Sequence, residues 1–393
     1  MSEAGRSSAL QVALVGEPQA RGFAAARFEH FRAAIASAGH VVTPVDARAP
    51  VPAEHADVVV SAGIYGPTEA AVRIAGERPL WVDLPGDPFA DAQAVVARGG
   101  DPQRVAEDSA RVFLPALARA DAFSTISVVS RWTLVGQLGL IGRWVGPEEL
   151  PVHPIPIAWP GAPAPGVGTR VPSDGGGLRI LLAGSFNTWF DEDAVADVLI
   201  EVMQRTDTVV EVTGGPGQPG GYDRFVARMA GRPVRFHAWV DDPAPVFARC
   251  DVLLTLDRAD LWEPYAGSRT RVLSARAAGL RVVASAGPEL VDELAGAGQV
   301  EAVRSRAEAV KALLARGPAP DASWIAHRYD PARVVAPLLD WLRAPRRAPA
   351  APISGVLDHA MRAQRRSEDE LSAIRRTWAF KLGRFTPWRR GAG

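Results

Sequence analysis

The chain has 393 residues, 47% of them apolar and 22% charged, with 44 Lys plus Arg balancing 44 Asp plus Glu. That length exceeds one comfortable core and fits two α/β domains with an appendage. The single cysteine, Cys250, excludes an intramolecular disulfide and a cysteine-built metal cage. Residues 353–393 hold nine Lys/Arg against four Asp/Glu, which leaves the rest slightly acidic and unsuited to nucleic acid.

Residues 10–16 form an apolar run ending in glycine, and a helix over about 22–38 follows, with Phe23, Arg27, Phe31 and Ile35 spaced by four. Further strands are expected at 57–63, 79–84, 122–127 and 153–157, with helices around 67–76, 101–119 and 130–140. Alternating strands and helices predict a parallel sheet covered on both faces. Residues 158–177 are rich in Pro and Gly and mark a linker. The plan then repeats, with strands near 178–183, 208–213, 234–240, 251–256 and 280–285. Helices are expected between them near 191–204, 221–230, 243–249, 268–278 and 288–296, and closing helices over 323–342.

The expected organisation is an N-terminal Rossmann-like domain over 1–160, a linker over 161–177 and a second Rossmann-like domain over 178–343. A proline-stiffened linker over 344–352 leads to a basic helical tail over 353–393. The first eight residues have no apolar signal core, and no run of about 18 apolar residues occurs, so a cytoplasmic protein is expected. The tail sets Trp378, Phe380, Phe385 and Trp388 among Arg375, Arg376, Lys381, Arg384, Arg389 and Arg390. Such a segment suits either a partner helix or the anionic inner face of a membrane, with the protein then peripheral.

In an open α/β sheet the ligand lies beyond the carboxyl ends of the strands, so the strand-to-helix corners carry the chemistry. Gly16 opens a flexible corner in the first half, and Asp83 and Asp87 in Asp-Leu-Pro-Gly-Asp-Pro are candidates to orient an acceptor hydroxyl or serve as general base; the alternative is turn formation. In the second half Gly184, Ser185, Asn187 and Thr188 offer small and hydroxyl groups to a phosphate or sugar, while Asp191 suits a helix cap. The glycines of Gly215-Pro216-Gly217-Gln218-Pro219-Gly220 match G-x-G-x-x-G, but two prolines remove N–H groups that a pyrophosphate needs and the motif follows the second strand, which argues against a nicotinamide enzyme. His237, Trp239 and Val240 are expected to line the donor site at a strand end. The corner from Asp257 is the strongest, because Gly267 and Ser268 open a helix with Arg269, Thr270 and Arg271 in its first turn. Cations there oppose the helix dipole unless an anion sits between them, which points to a diphosphate. Glu263, just upstream, suits sugar hydroxyls.

The order Thr213-Gly214-Gly215, then Val-Arg-Phe-His-Ala-Trp-Val at 234–240, Val-Phe-Ala-Arg-Cys-Asp-Val-Leu-Leu at 246–254, Glu263-Pro264 and Ala-Ala-Gly-Leu-Arg-Val-Val at 277–283 is similar to the donor-binding half of GT-B glycosyltransferases. It most resembles the family-four retaining type, the glycosyltransferase group 1. Asp121-Ala122-Phe123 through Ser130 and Pro154-Ile155-Pro156-Ile157 extend the likeness to the first half, over roughly residues 10–342. The resemblance implies two Rossmann-like domains facing a cleft, with a helical tail. It implies transfer of a hexose-type sugar from a nucleoside-diphosphate donor to a glycan or lipid-linked cell-envelope acceptor, with retention and with neither metal nor cofactor. In the family a second glutamate follows Glu-Pro by seven residues and holds the donor ribose; spacing puts Arg271 there and alignment on Gly279 puts Ser274 there. The family's Arg and Lys for the diphosphate have no match in 184–190, so Arg269 and Arg271 are expected to replace them. A nucleotide-sugar epimerase and a catalytically silent sugar- or nucleotide-binding scaffold remain as other readings.

Overall fold

The computed structural model describes residues 9–19, 22–49, 54–143, 146, 151–160, 177–217, 221–237, 239–240, 243–349, 351–352, 355, 362–363, 366–367 and 369–374. The aromatic and basic residues of the tail from 375 onward, and Gln218, Pro219 and Gly220 of the glycine-rich motif, lie outside them.

The first domain runs β1 Gln11–Gly16, α1 Phe23–Ser37, β2 Val41–Asp46, β3 Val58–Ser61, α2 Gly66–Ala75, β4 Leu80–Leu84, α3 Pro88–Ala97, α4 Pro102–Arg119, β5 Ala122–Thr125, α5 Val128–Leu140 and β6 Val152–Pro154. The second runs β7 Leu178–Ala183, α6 Glu192–Arg205, β8 Thr208–Thr213, α7 Gly221–Met229, β9 Val234–Phe236, α8 Ala244–Phe247, β10 Val252–Thr255, α9 Glu263–Ala266, α10 Thr270–Ala277, β11 Arg281–Ser285, α11 Glu289–Gly296, β12 Glu301–Val303 and α12 Arg306–Leu314. Three closing helices follow, α13 Ser323–Arg328, α14 Pro331–Val334 and α15 Ala336–Leu342.

Each domain holds a six-stranded parallel sheet, ordered β2-β1-β3-β4-β5-β6 and β12-β11-β10-β7-β8-β9. This is the doubly wound GT-B architecture of two Rossmann-like domains. The central strands are buried on both faces, which is why Val-Val-Val in β3 reads as an unbroken apolar run and β4, Leu-Trp-Val-Asp-Leu, is apolar except for the ion-paired Asp83. In each sheet the order reverses next to the first strand, between β1 and β3 and between β7 and β10, the kind of position beside which open α/β sheets generally bind ligands.

Five elements were not anticipated: β2, β12, α3, α9 and α12. Strand β2 is a half-exposed edge strand interrupted by Pro44, which only an edge tolerates. Strand β12 is a three-residue edge, and α3 follows β4 immediately, capped by Asp87.

The closing helices return to the first domain. Val334, Val335, Leu338 and Leu342 share a core with Val12, Phe28 and Trp81, and the Trp341 ring lies 5.4 Å from Trp81. The chain then stays on that surface: Ala348 donates its N–H to Asp121 at 2.7 Å, and Arg347 pairs with Glu77 at 2.8 Å. The stretch expected as a proline-stiffened linker makes these contacts with the first domain.

Candidate functional site

A cavity of about 460 Å³ opens at the carboxyl ends of β7 and β8, within the usual size of a small-molecule site. Its floor is two glycine corners in contact. Gly184 has φ +94° and Gly214 has φ +115°, and a Cβ on Gly214 would stand 2.3 Å from the Gly184 carbonyl oxygen. Only glycine fits the second position, because both the conformation and the space forbid a side chain. Ser185, Asn187 and Trp189 continue one wall, and Trp239, Val240, Pro243 and Phe247 form the apolar end. Gly22 and Phe23 reach in from the first domain, so the cavity lies between the two. The start of α10 supplies the opposite side through Ser268, Thr270, Arg271 and Ser274.

Arg271 sits in the first turn of α10, and its Cζ lies 3.5 Å from where a Gly184 Cβ would be. Its guanidinium has no ion-pair or hydrogen-bond partner among the described residues and stands 5.9 Å over the Phe190 ring. Burial, partly countered by the Asp257 charge, lowers its pKa from the ordinary arginine range. A desolvated cation beside the unpaired N–H groups of a helix start gains most from an anion placed between them. The described lining residues include no carboxylate and no imidazole. Among the described residues no group of three His, Cys, Asp or Glu is arranged to hold a metal ion.

Of the residues singled out in the sequence, Gly184, Ser185, Asn187, Trp239, Val240, Ser268, Thr270 and Arg271 line this cavity. Ser274 lines it as well, about one turn after Arg271, so both positions considered for the family's second glutamate face the cavity.

The others stand elsewhere, and their expected roles are corrected. Arg269 is the N-cap residue of α10 and is 2% exposed. It donates from Nε to Asp257 at 2.8 Å and from Nη2 to Glu263 at 3.0 Å, which leaves it no charge to offer a phosphate. Glu263 is buried in that pair rather than presented to a sugar, and a Cβ on Gly267 would strike its Oε1, so Gly267 serves packing. His237 faces the fully buried Glu211, Nε2 to Oε2 2.5 Å, and does not line the cavity. The Thr188 side chain is buried, and its carbonyl accepts from Arg98. Gly16 is a packing glycine, since a Cβ there would meet the Phe28 ring at 2.3 Å.

Neither aspartate of the first domain is free to act as a base. Asp83 is fully buried, accepts from Arg27 at 3.0 and 2.7 Å, and takes the Ser124 hydroxyl at 2.6 Å. Asp87 caps α3 by accepting from the N–H groups of Phe89 and Ala90 at 2.8 and 3.0 Å. The glycine-proline motif also has a structural role: Gly215 and Gly217 pair through their backbones with Phe186, which uses the Gly217 N–H.

Sequence reasoning missed Arg98, the C-cap residue of α3, which reaches across to the cavity wall. Its guanidinium donates to the carbonyls of Thr188 and Phe190 at 3.0 and 3.1 Å and to both oxygens of Glu192 at 2.7 and 2.9 Å. Glu192, at the start of α6, is 3% exposed and also accepts from Arg224. Other polar contacts that tie the domains include Glu289, which accepts from the N–H groups of Val128 and Val129 at 3.1 Å each, Ser130, which donates to the Ala266 carbonyl, and Gln93, which accepts from the Trp262 N–H at 3.0 Å.

Residues 177–316 match the family described as Glycosyl transferases group 1. Among solved structures, Anabaena Alr3699/HepE in complex with UDP and glucose is similar at 15% identity and TM-score 0.60, over 85% of this chain and 100% of that one. AviGT4, a glycosyltransferase involved in Avilamycin A biosynthesis, is similar at 15% identity and TM-score 0.54, over 86% of this chain and 99% of that one. At such identities the likeness is one of fold. No curated protein matches the sequence.

Proposed function

We propose that this chain, a group 1 glycosyltransferase with the GT-B fold, moves a hexose-type sugar from a nucleoside-diphosphate donor to a hydroxyl of a glycan or lipid-linked acceptor. One observation carries the reading: the guanidinium of Arg271, with no ion-pair or hydrogen-bond partner among the described residues, stands against Gly184 in a cavity whose described lining has no carboxylate. A departing diphosphate gathers negative charge as its bond to the sugar breaks, and a preorganised cation with backbone N–H groups is what stabilises it. The apolar end at Trp239, Val240 and Phe247 suits a nucleobase.

In the proposed step the acceptor oxygen bonds to the anomeric carbon while the bond to the diphosphate oxygen breaks, its electrons leaving with the diphosphate. The acceptor proton passes to an oxygen of that leaving group, and configuration is retained without a protein nucleophile. The engagement of Asp83 and Asp87 in an ion pair and a helix cap supports this route. Arg271 and the α10 start take the charge-balancing part that a divalent cation plays elsewhere. An epimerase needs an acid and base at the sugar, and the described lining offers neither.

The acceptor class, and attachment at the inner membrane face, rest on the basic and aromatic sequence of residues 353–393. No helix among the described residues is long and apolar enough to cross a membrane. The test is a panel of uridine, guanosine and thymidine diphosphate sugars offered with soluble and lipid-linked glycan acceptors, read by mass spectrometry. Uridine donors come first, because the HepE structure holds UDP. Transfer from one donor is expected. Failure of every nucleoside diphosphate to bind overturns the reading, and binding without turnover favours the silent scaffold.

A further inference from the structure

The two domains meet at a contact that also holds the donor-cavity wall. Arg98 belongs to the first domain and is not a lining residue, yet its fork grips the backbone of the second domain at Thr188 and Phe190 and the carboxylate of Glu192. Those positions bracket Trp189 and follow Asn187, both of which line the cavity. The Phe190 ring in turn lies under the Arg271 guanidinium. A planar guanidinium can satisfy two carbonyls and a carboxylate in one geometry, which the single point of a lysine ammonium cannot.

We propose that Arg98 is a positioning residue for donor binding: by fixing the 188–192 segment from the opposite domain, it sets where Phe190 and therefore Arg271 stand. Donor affinity is then coupled to domain contact through one side chain. The inference rests on the reading of the cavity as the donor site.

The experiment is a double-mutant cycle on UDP binding by the full chain, measured by calorimetry with Arg98→Gln, Arg271→Gln and the pair. Arg98→Gln is expected to weaken UDP on the order of tenfold in the wild-type background and hardly at all once Arg271 is replaced. Arg98→Lys keeps charge toward Glu192 but loses the fork, and is expected to fall between wild type and Arg98→Gln, with the same dependence on Arg271. The control is Glu289→Gln, which loosens a different contact between the domains; its effect is expected to be the same in both backgrounds. Equal losses from the Arg98 variants in both backgrounds would overturn the inference while leaving the donor site standing. Absence of binding by the wild type to UDP, GDP and TDP alike would overturn the donor-site reading and this inference with it.

Discussion

Arg269 and Glu263 are joined in a buried ion pair, Nη2 to Oε2 3.0 Å, and the same guanidinium also serves Asp257 at 2.8 Å. One cation therefore balances two buried carboxylates. Burial, against the opposing pull of Arg269 and with the Asp257 charge adding to it, pushes the Glu263 carboxyl up from 4.5 to about 7. A carboxyl raised in the fold holds its proton more tightly there than in the unfolded chain. Between pH 4.5 and about 7 the folded state binds more protons, so this group's contribution to stability falls as pH rises. The effect over that window is about 3 kcal/mol. Glu263→Gln should flatten the fall in Tm between about pH 5 and about pH 8 and leave the variant no less stable at the upper end. An unchanged pH slope in the variant would refute the assignment. Arg269→Met strands both carboxylates and should cost about 3–5 kcal/mol, seen as a much lower Tm.

Arg271, two residues on, should behave in the opposite way. Its guanidinium has no ion-pair or hydrogen-bond partner among the described residues to lose, only the contact with the Phe190 ring, so Arg271→Gln is expected to change Tm little. A charge-assisted hydrogen bond to a ligand contributes about 1.5–3 kcal/mol, and the variant should bind nucleoside diphosphate roughly 10–100 times more weakly by calorimetry. Unaltered affinity would remove Arg271 from the site.

These two arginines also show how far the sequence could be read. Both stand near a helix start after a glycine, and nothing local separates them. The difference comes from Asp257, twelve residues upstream, and from a helix that begins at Thr270 rather than Ser268, which makes Arg269 a cap residue turned into the protein. The buried strands were legible because a parallel strand covered on both faces leaves a continuous apolar run; β2 was not, because Pro44 and exposed residues break its run, and β12 was not, because three residues are too few to show a pattern. The cavity corners could be found from the rule that ligands sit at strand carboxyl ends. Arg98 could not, since it ends a helix hidden behind a Pro-Gly-Asp-Pro turn signal and its partners lie about 90 residues away.

Asp83 and Asp87 are distinguished from catalytic bases by conservative substitution. Asparagine caps a helix as well as aspartate does, so Asp87→Asn should keep both stability and kcat. Loss of a general base would instead slow turnover by about 100–10,000-fold. Asp83→Asn leaves Arg27 buried without its counter-charge and is expected to lower stability by about 3–5 kcal/mol, while the fraction that folds retains its kcat. A stable, inactive Asp83→Asn protein would return that residue to the list of catalytic groups.

The glycine floor gives the last test, because it separates strain from steric exclusion. Gly214 and Gly231 both hold positive φ, +115° and +74°, but a Cβ on Gly231 meets nothing within 4 Å whereas one on Gly214 collides with the Gly184 backbone. Gly231→Ala should cost only the backbone strain, about 1–3 kcal/mol, and leave nucleotide affinity as it was. Gly214→Ala carries backbone strain of its own, at a φ farther from the left-handed region, and must also push the two corners apart, which moves Gly184 away from Arg271 and opens the floor on which the diphosphate is proposed to lie. Its nucleoside diphosphate affinity should therefore fall by more than about tenfold beyond anything its Tm explains, since misplaced groups lose binding even in a folded protein. Equal affinities in the two variants would mean that the close approach of Gly184 and Gly214 serves the fold alone.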